Sequence, residues 1–178
     1  GPHLGPDGFL YWTKGAFSEQ THRLANGSTL KDRAAHIYRA RPDGSGLDVL
    51  MHGGMDNPVG LAFLPDGELM FTSTFIDFTQ PGFRDGVAHA SYGAVFGKIN
   101  SNVDERAVIR TGPELMHPIA EIGAAAPSGV ARYASTQFGS GFADNLFVAQ
   151  FNHRKISRHA LRPAGATFAS ETSDFVVT

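Results

Sequence analysis

The phrase "GPDGFLYWT" at residues 5–13 returns as "LPDGELMFT" at residues 64–72, 59 positions later. A repeat of this size limits the fold strongly, because each copy must build the same small supersecondary unit and stack on its neighbour. In both copies the proline presets φ, the aspartate can bond its own backbone and the glycine accepts positive φ, which together make a turn. The residues after each turn are rich in β-formers and read as a strand. A third, looser copy is "FADNLFVAQF", with Asp144 and Asn145 at the turn.

The stretches between the copies read as further strands. "HIYRARPDGSGLDVL" is a hairpin around another PDG turn, with Ile37 and Arg39 on one side and Tyr38 and Ala40 on the other. "NPVGLAF" leads into the second copy and "SGVARYAS" into the third. "KISRHALRPAGATFAS" reads as two strands joined at Pro163 to Gly165. Each unit is then a strand, a PDG-type turn, a strand, a variable loop and an outer hairpin, which makes a four-stranded antiparallel blade. The sequence therefore predicts an all-β chain, a partial β-propeller domain over 1–178 with blades near 1–55, 56–125 and 126–178. The 21 glycines and 10 prolines, placed between short apolar runs, agree with this punctuation.

Two stretches break the rhythm. Ser18–Arg33 is polar without clear periodicity and reads as a loop. Ile76–Gly129 is longer and mixed, with "ERAVIRTGPELM" as a candidate helical turn. Long insertions in a repeat fold sit on one face, often the binding face.

Composition excludes several function classes. Net charge is −2 with no long charge run, which argues against a nucleic-acid surface or a polybasic membrane patch. No apolar stretch reaches the length of a membrane span. The chain opens without a basic then apolar leader, so the expectation is a mature, trimmed or partial chain. Cysteine is absent, which removes disulfides, thiolate metal sites, a cysteine nucleophile and c-type haem attachment. Neither GxSxG, HExxH nor a Walker A motif occurs. "FGSGF" at 138–142 does not lead into a helical pattern, against a dinucleotide site.

Three long stretches carry a resemblance: "HIYRARPDGSGLDVLMHGGMDNPVGLAFLPDGELMFTSTF", "RDGVAHASYGAVFGK" and "AAPSGVARYASTQFGSGFADNLFVAQFNHRKISRHAL". They resemble consecutive blades of the glucose/sorbosone dehydrogenase-like six-bladed propellers of the quinoprotein sugar dehydrogenase superfamily. The branch most similar is the membrane-bound dehydrogenases of planctomycete-type bacteria. The resemblance implies about three blades of a six-bladed ring, and oxidation of a sugar hydroxyl or aldehyde by pyrroloquinoline quinone (PQQ) held with calcium. It also implies a periplasmic or secreted location and a cytochrome or haem-domain electron acceptor.

The same resemblance nominates residues. His3 stands where the family's catalytic base precedes the GPDG turn, and a pKa near neutral suits that role. Asn57 matches a cofactor-facing Asn, while Asp56 takes the place of its Arg neighbour. Arg154, Lys155 and Arg158 are the basic residues that would clamp the quinone carboxylates, beside His153 and His159. Read as a strand, this stretch puts Arg154, Ile156 and Arg158 on one face and Lys155, Ser157 and His159 on the other. "RDGVAHASYGAVFGK" matches a loop-and-turn stretch of the family through Tyr92, Gly93 and Gly97, with Arg84, Asp85, His89 and Lys98 as rim candidates.

The chain also departs from the family. Ser73, Thr74, Phe75 and Ile76 replace the Glu-Gln-Gly-Pro-type stretch that holds calcium, and Ala16 replaces an aspartate. Calcium wants six to eight oxygens, so its ligands stay unassigned. Two alternatives follow. One is a non-catalytic propeller that binds a glycan or a protein. The other is a metal-dependent lactonase using Asp56, Asn57 and Asp77.

Overall fold

The computed structural model describes residues 1–74, 84–97 and 115–178. Phe75, Ile76, Asp77, Lys98 and the "ERAVIRTGPELM" stretch through residue 114 lie outside the described residues. The described residues form three four-stranded antiparallel sheets in chain order and one separate hairpin.

The first sheet has the order β1 (His3–Leu4), β2 (Leu10–Lys14), β5 (His36–Ala40), β6 (Asp48–His52). Between β2 and β5 the chain leaves to make the hairpin of β3 (Gln20–Arg23) and β4 (Thr29–Asp32). The second sheet runs β7 (Leu61–Phe63), β8 (Leu69–Thr74), β9 (Asp85–His89), β10 (Ala120–Gly123). The third runs β11 (Pro127–Arg132), β12 (Leu146–Gln150), β13 (Lys155–Ala164), β14 (Thr167–Val177).

The repeated phrase closes hairpins by one geometry. The amide of Gly5 donates to the Phe9 carbonyl and that of Leu64 to Glu68, while Gly8 and Gly67 donate back to Gly5 and Leu64. Asp7 and Asp66 accept the amide two residues on, each at 3.2 Å. Arg41–Ser45 repeats the pattern, with Asp43 accepting the Ser45 amide at 2.9 Å. The fourth loop residue needs φ > 0, and Gly8, Gly44 and Gly67 supply φ of 81°, 81° and 92°.

That geometry also corrects the reading of Ser18–Arg33 as a loop. "LANGS" makes the same turn: Leu24 donates to Ser28, Gly27 donates to Leu24, and Asn26 accepts the Ser28 amide at 2.9 Å. Asn can replace Asp, and the alanine needs no preset φ, so a hairpin forms where hydrophobic alternation is too weak to announce it. In the third copy Asp144 itself takes positive φ, 59°, and the turn is wider: the Asp144 amide donates to the Tyr133 carbonyl and the Tyr133 amide to the Asn145 carbonyl. Pro163 is not at the last turn but inside β13. It lies beyond the final β12 pair, Leu146↔His159, where that side of the strand has no ladder to interrupt.

Two apolar cores hold the sheets together. Tyr11, Ile37, Met51, Met55, Leu69 and Phe71 fill the first, between the first and second sheets. Met70, Val87, Ile122, Leu146 and Val148 fill the second, between the second and third. Strand β8 alternates between them, Leu69 and Phe71 to one core and Met70 to the other, so it is buried on both faces.

Candidate functional site

One end of each sheet is marked by register: Lys14↔His36↔His52 on the first, Thr74↔Asp85↔Gly123 on the second and Pro127↔Gln150↔Lys155 on the third. Hydrogen bonds tie these ends into one rim. The Ala16 amide donates to the Asp56 carbonyl at 2.8 Å, and the Asp56 amide to the Thr74 carbonyl at 3.0 Å. The Ala126 amide donates to the buried Asp85 carboxylate at 2.8 Å, and the Asn152 side chain donates to the Ala124 carbonyl at 3.0 Å.

The β3–β4 hairpin stands on this rim through a buried polar anchor. Asp32 accepts from the Gln20 side chain and the Ala34 amide, each at 3.0 Å, and pairs with His36 Nε2 at 3.0 Å. The Tyr38 hydroxyl donates to Gln20 Oε1 at 2.5 Å. Burial pushes the Asp32 carboxyl up, but the His36 pair, the Gln20 bond and the Ala34 amide outweigh it and leave it below its ordinary range. Burial, then the His36 charge, pulls the neighbouring His52 down.

Lys14 ends β2 inside the same corner. Its ammonium donates to the carbonyls of Ser18 at 2.5 Å, Ala34 at 3.1 Å and Arg33 at 3.4 Å. A converging set of carbonyls is what a hard cation seeks, and here the protein supplies the cation itself. Among the described residues no group of three His, Cys, Asp or Glu could hold a metal ion. With Lys14 in place, this carbonyl corner does not fit calcium.

The nominated residues are distributed unevenly. Asn57 is exposed on the rim with its side chain over Gly15, where a Cβ would overlap Asn57 Oδ1. Arg154 is also exposed on the rim, but it does not share a strand face with Ile156 and Arg158. It lies in the turn before β13 with φ 51°, and its carbonyl accepts from Thr178. Lys155 opens β13 and donates to Asp174 at 2.7 Å. Arg158 turns away from the rim: it donates to Asn145 Oδ1 at 2.6 Å and to the Gly141 carbonyl, with its guanidinium 4.2 Å from the Phe142 ring centroid. His3 sits in β1 opposite Tyr11, held below its ordinary pKa by partial burial. The geometry brings Asn57 and Arg154 to one rim, joined there by exposed Arg84 and His153. It brings neither Arg158 nor His3 to them, since His3 pairs with Tyr11, three residues from the Lys14 end of β2.

A buried polar chain runs inward from this rim. His153 Nδ1 lies 2.9 Å from Gln150 Oε1, Gln150 donates to Ser157 at 2.6 Å, and Ser157 lies 2.8 Å from His159 Nε2. Thr172 stands 3.0 Å from the other ring nitrogen. Burial, then Lys155, pulls His159 down to about 4. Lys14, Gln20 and Asp32 are the functional-end residues that sequence reasoning left without a role, whereas Asp85 stands on the rim where the sequence nominated it. The signal for Lys14 is a lone lysine closing a strand of otherwise uncharged residues.

Chemically, the rim offers two exposed guanidinium groups, an amide and an imidazole. Such a set suits a planar ligand carrying carboxylates, so these side chains fit PQQ in kind. No helix among the described residues is long and apolar enough to cross a membrane.

No protein-family model matches the chain, and no curated protein matches it. Solved structures do. The PQQ-bound form of aldose sugar dehydrogenase from Streptomyces coelicolor is similar over 98% of this chain and 47% of its own, at TM-score 0.61 and 22% identity. An oxidoreductase described as a glucose dehydrogenase, from Thermus thermophilus, is similar over 99% of this chain and 51% of its own, at TM-score 0.64 and 22% identity. The chain thus spans about half the length of these structures, and its fold is that of a partial β-propeller like theirs.

Proposed function

We propose that this chain is part of a PQQ-dependent sugar dehydrogenase-like protein that oxidises a hydroxyl or aldehyde of an aldose-type sugar. The observation that carries the proposal is the likeness in fold, across 98% of this chain, to a PQQ-bound aldose sugar dehydrogenase. The rim cations Arg84 and Arg154, with Asn57, supply the groups that would meet the cofactor's carboxylates. Bound PQQ would supply the two-electron acceptor. Sequence resemblance alone nominates His3 as the proton acceptor, a role suited to an imidazole; its register opposite Tyr11 sets it away from the rim residues Arg84, Arg154 and Asn57. The proposal gives calcium no place at the carbonyl corner, because Lys14 fills it; calcium elsewhere rests on sequence resemblance alone. The planctomycete-type branch, a periplasmic or secreted location and a cytochrome or haem-domain acceptor belong to this proposal and rest on sequence resemblance alone.

The Lys14 corner favours a second reading, a propeller that binds its ligand without turnover. The two readings separate by dye-linked oxidation of a panel of aldoses by the full-length parent protein, with PQQ added and omitted. Turnover that requires PQQ supports the dehydrogenase. A folded protein that neither binds PQQ nor turns over sugar overturns it.

A further inference from the structure

The repeated turns do more than close hairpins. A Cβ at Gly67 would lie 3.9 Å from the Pro6 ring, so the first and second PDG turns stand side by side. They form the lip of a cavity of about 330 Å³ between the first two sheets, at the end opposite the rim. That volume falls in the range of small-ligand sites.

The floor is apolar, built on Tyr11 and Phe63, which meet edge to face at 5.0 Å. The walls alternate acceptors and donors. Asp7 accepts from the Tyr11 hydroxyl at 2.7 Å and lies 3.9 Å from Arg39 Nη1. Half-exposed Glu68 lies 2.7 Å from His89 Nε2, with Ser91 on the other side of that ring. Over the opening stands Tyr92, 69% exposed. It is held on a fixed turn: the Gly93 amide donates to the Leu50 carbonyl at 3.0 Å and the Ala94 amide to Ser91 at 3.0 Å. A large aromatic side chain left in water on a tethered turn beside a half-apolar cleft marks a contact surface.

The charges select the ligand class. A cationic ligand would meet Arg39, and both carboxylates already have partners. An anionic ligand would meet Asp7 and Glu68. A neutral polyol satisfies alternating donors and acceptors, and the C–H face of a sugar ring packs on an exposed phenol. We propose that this cleft binds a neutral saccharide unit through Tyr92, Glu68 and Asp7. The site is separate from the rim and does not rest on the dehydrogenase reading.

Saturation-transfer NMR of the chain with maltose, cellobiose and lactose tests it. The expected result is transfer to at least one of them, with affinity about tenfold weaker in Tyr92→Ala, weakened in Glu68→Gln, and unchanged in the rim variants Asn57→Ala and Arg154→Ala. Tyr92 is exposed, so its loss leaves the fold intact, which the amide spectrum checks. The proposal is overturned if none of the three sugars gives transfer, or if Tyr92→Ala binds as the parent does. Loss of binding only in the rim variants also overturns it, and so does preference for a polyamine such as spermidine. Failure of PQQ-dependent turnover leaves it standing.

Discussion

The guanidinium of Arg158 lies 4.2 Å from the centroid of the Phe142 ring and bonds the Asn145 side chain, bracing the wide turn of the third sheet. Arg158 is therefore a structural brace, while Arg154, exposed in the turn before β13, is free to meet a ligand. Arg158→Ala should cost about 2 kcal/mol of stability and leave PQQ affinity unchanged. Arg154→Ala should do the reverse. Urea midpoints and PQQ titrations of both variants check this, and a PQQ defect confined to Arg158→Ala would refute it.

Replacing Lys14 removes the cation that gathers the carbonyls of Ser18, Arg33 and Ala34. Lys14→Met should cost about 1–3 kcal/mol and speed proteolytic cleavage between residues 15 and 34. Millimolar calcium should not restore resistance. Restoration by calcium would mean that the corner is a metal site from which lysine excludes the ion.

Stability should depend on pH through His159. Its folded pKa, about 4, lies below the ordinary 6.5. The unfolded chain therefore takes up the proton first on acidification. The contribution is full above about pH 6.5 and is lost as pH falls toward 4, a total of about 3 kcal/mol. Asp32 is held below its usual range, so its own contribution persists through this window and fades only at lower pH. Urea midpoints at pH 7.5, 6 and 5 should fall steeply in the parent and less steeply in His159→Gln. Equal slopes would show that His159 does not titrate in this range.

Gly27 and Gly8 occupy the same place in the same turn, at φ 83° and 81°, and a Cβ would meet nothing at either. Backbone strain is then the main cost of a side chain there. Alanine at either position should lower stability by a similar amount, about 1 kcal/mol. Denaturant titration of the two variants compares them directly. A neutral Gly27→Ala would mean that the inserted hairpin is not coupled to the rest of the fold.

The sheets were legible because their signals are local. A PDG turn and the alternation on either side of it specify a hairpin from about a dozen residues, and "HIYRARPDGSGLDVL" folds as it reads. The inserted hairpin was missed because its polar strands carry no apolar alternation, although "LANGS" holds the turn chemistry. The direction of Arg158 was hidden for a different reason. Parity along a strand tells which face a side chain leaves from, but not that Phe142 and Asn145 from a separate loop will capture it. Lys14 was overlooked because its partners are backbone carbonyls, which leave no mark in a sequence.

Strand β8 gives Phe71 to one core and Met70 to the other. Opening the middle sheet must therefore dismantle both cores together, whereas either flanking sheet can open and disturb only one. Cooperativity in this chain is thus unequal along its length. The amides of β8 should exchange with solvent only through global unfolding, while the outer strands of the first and third sheets exchange through smaller, separate openings.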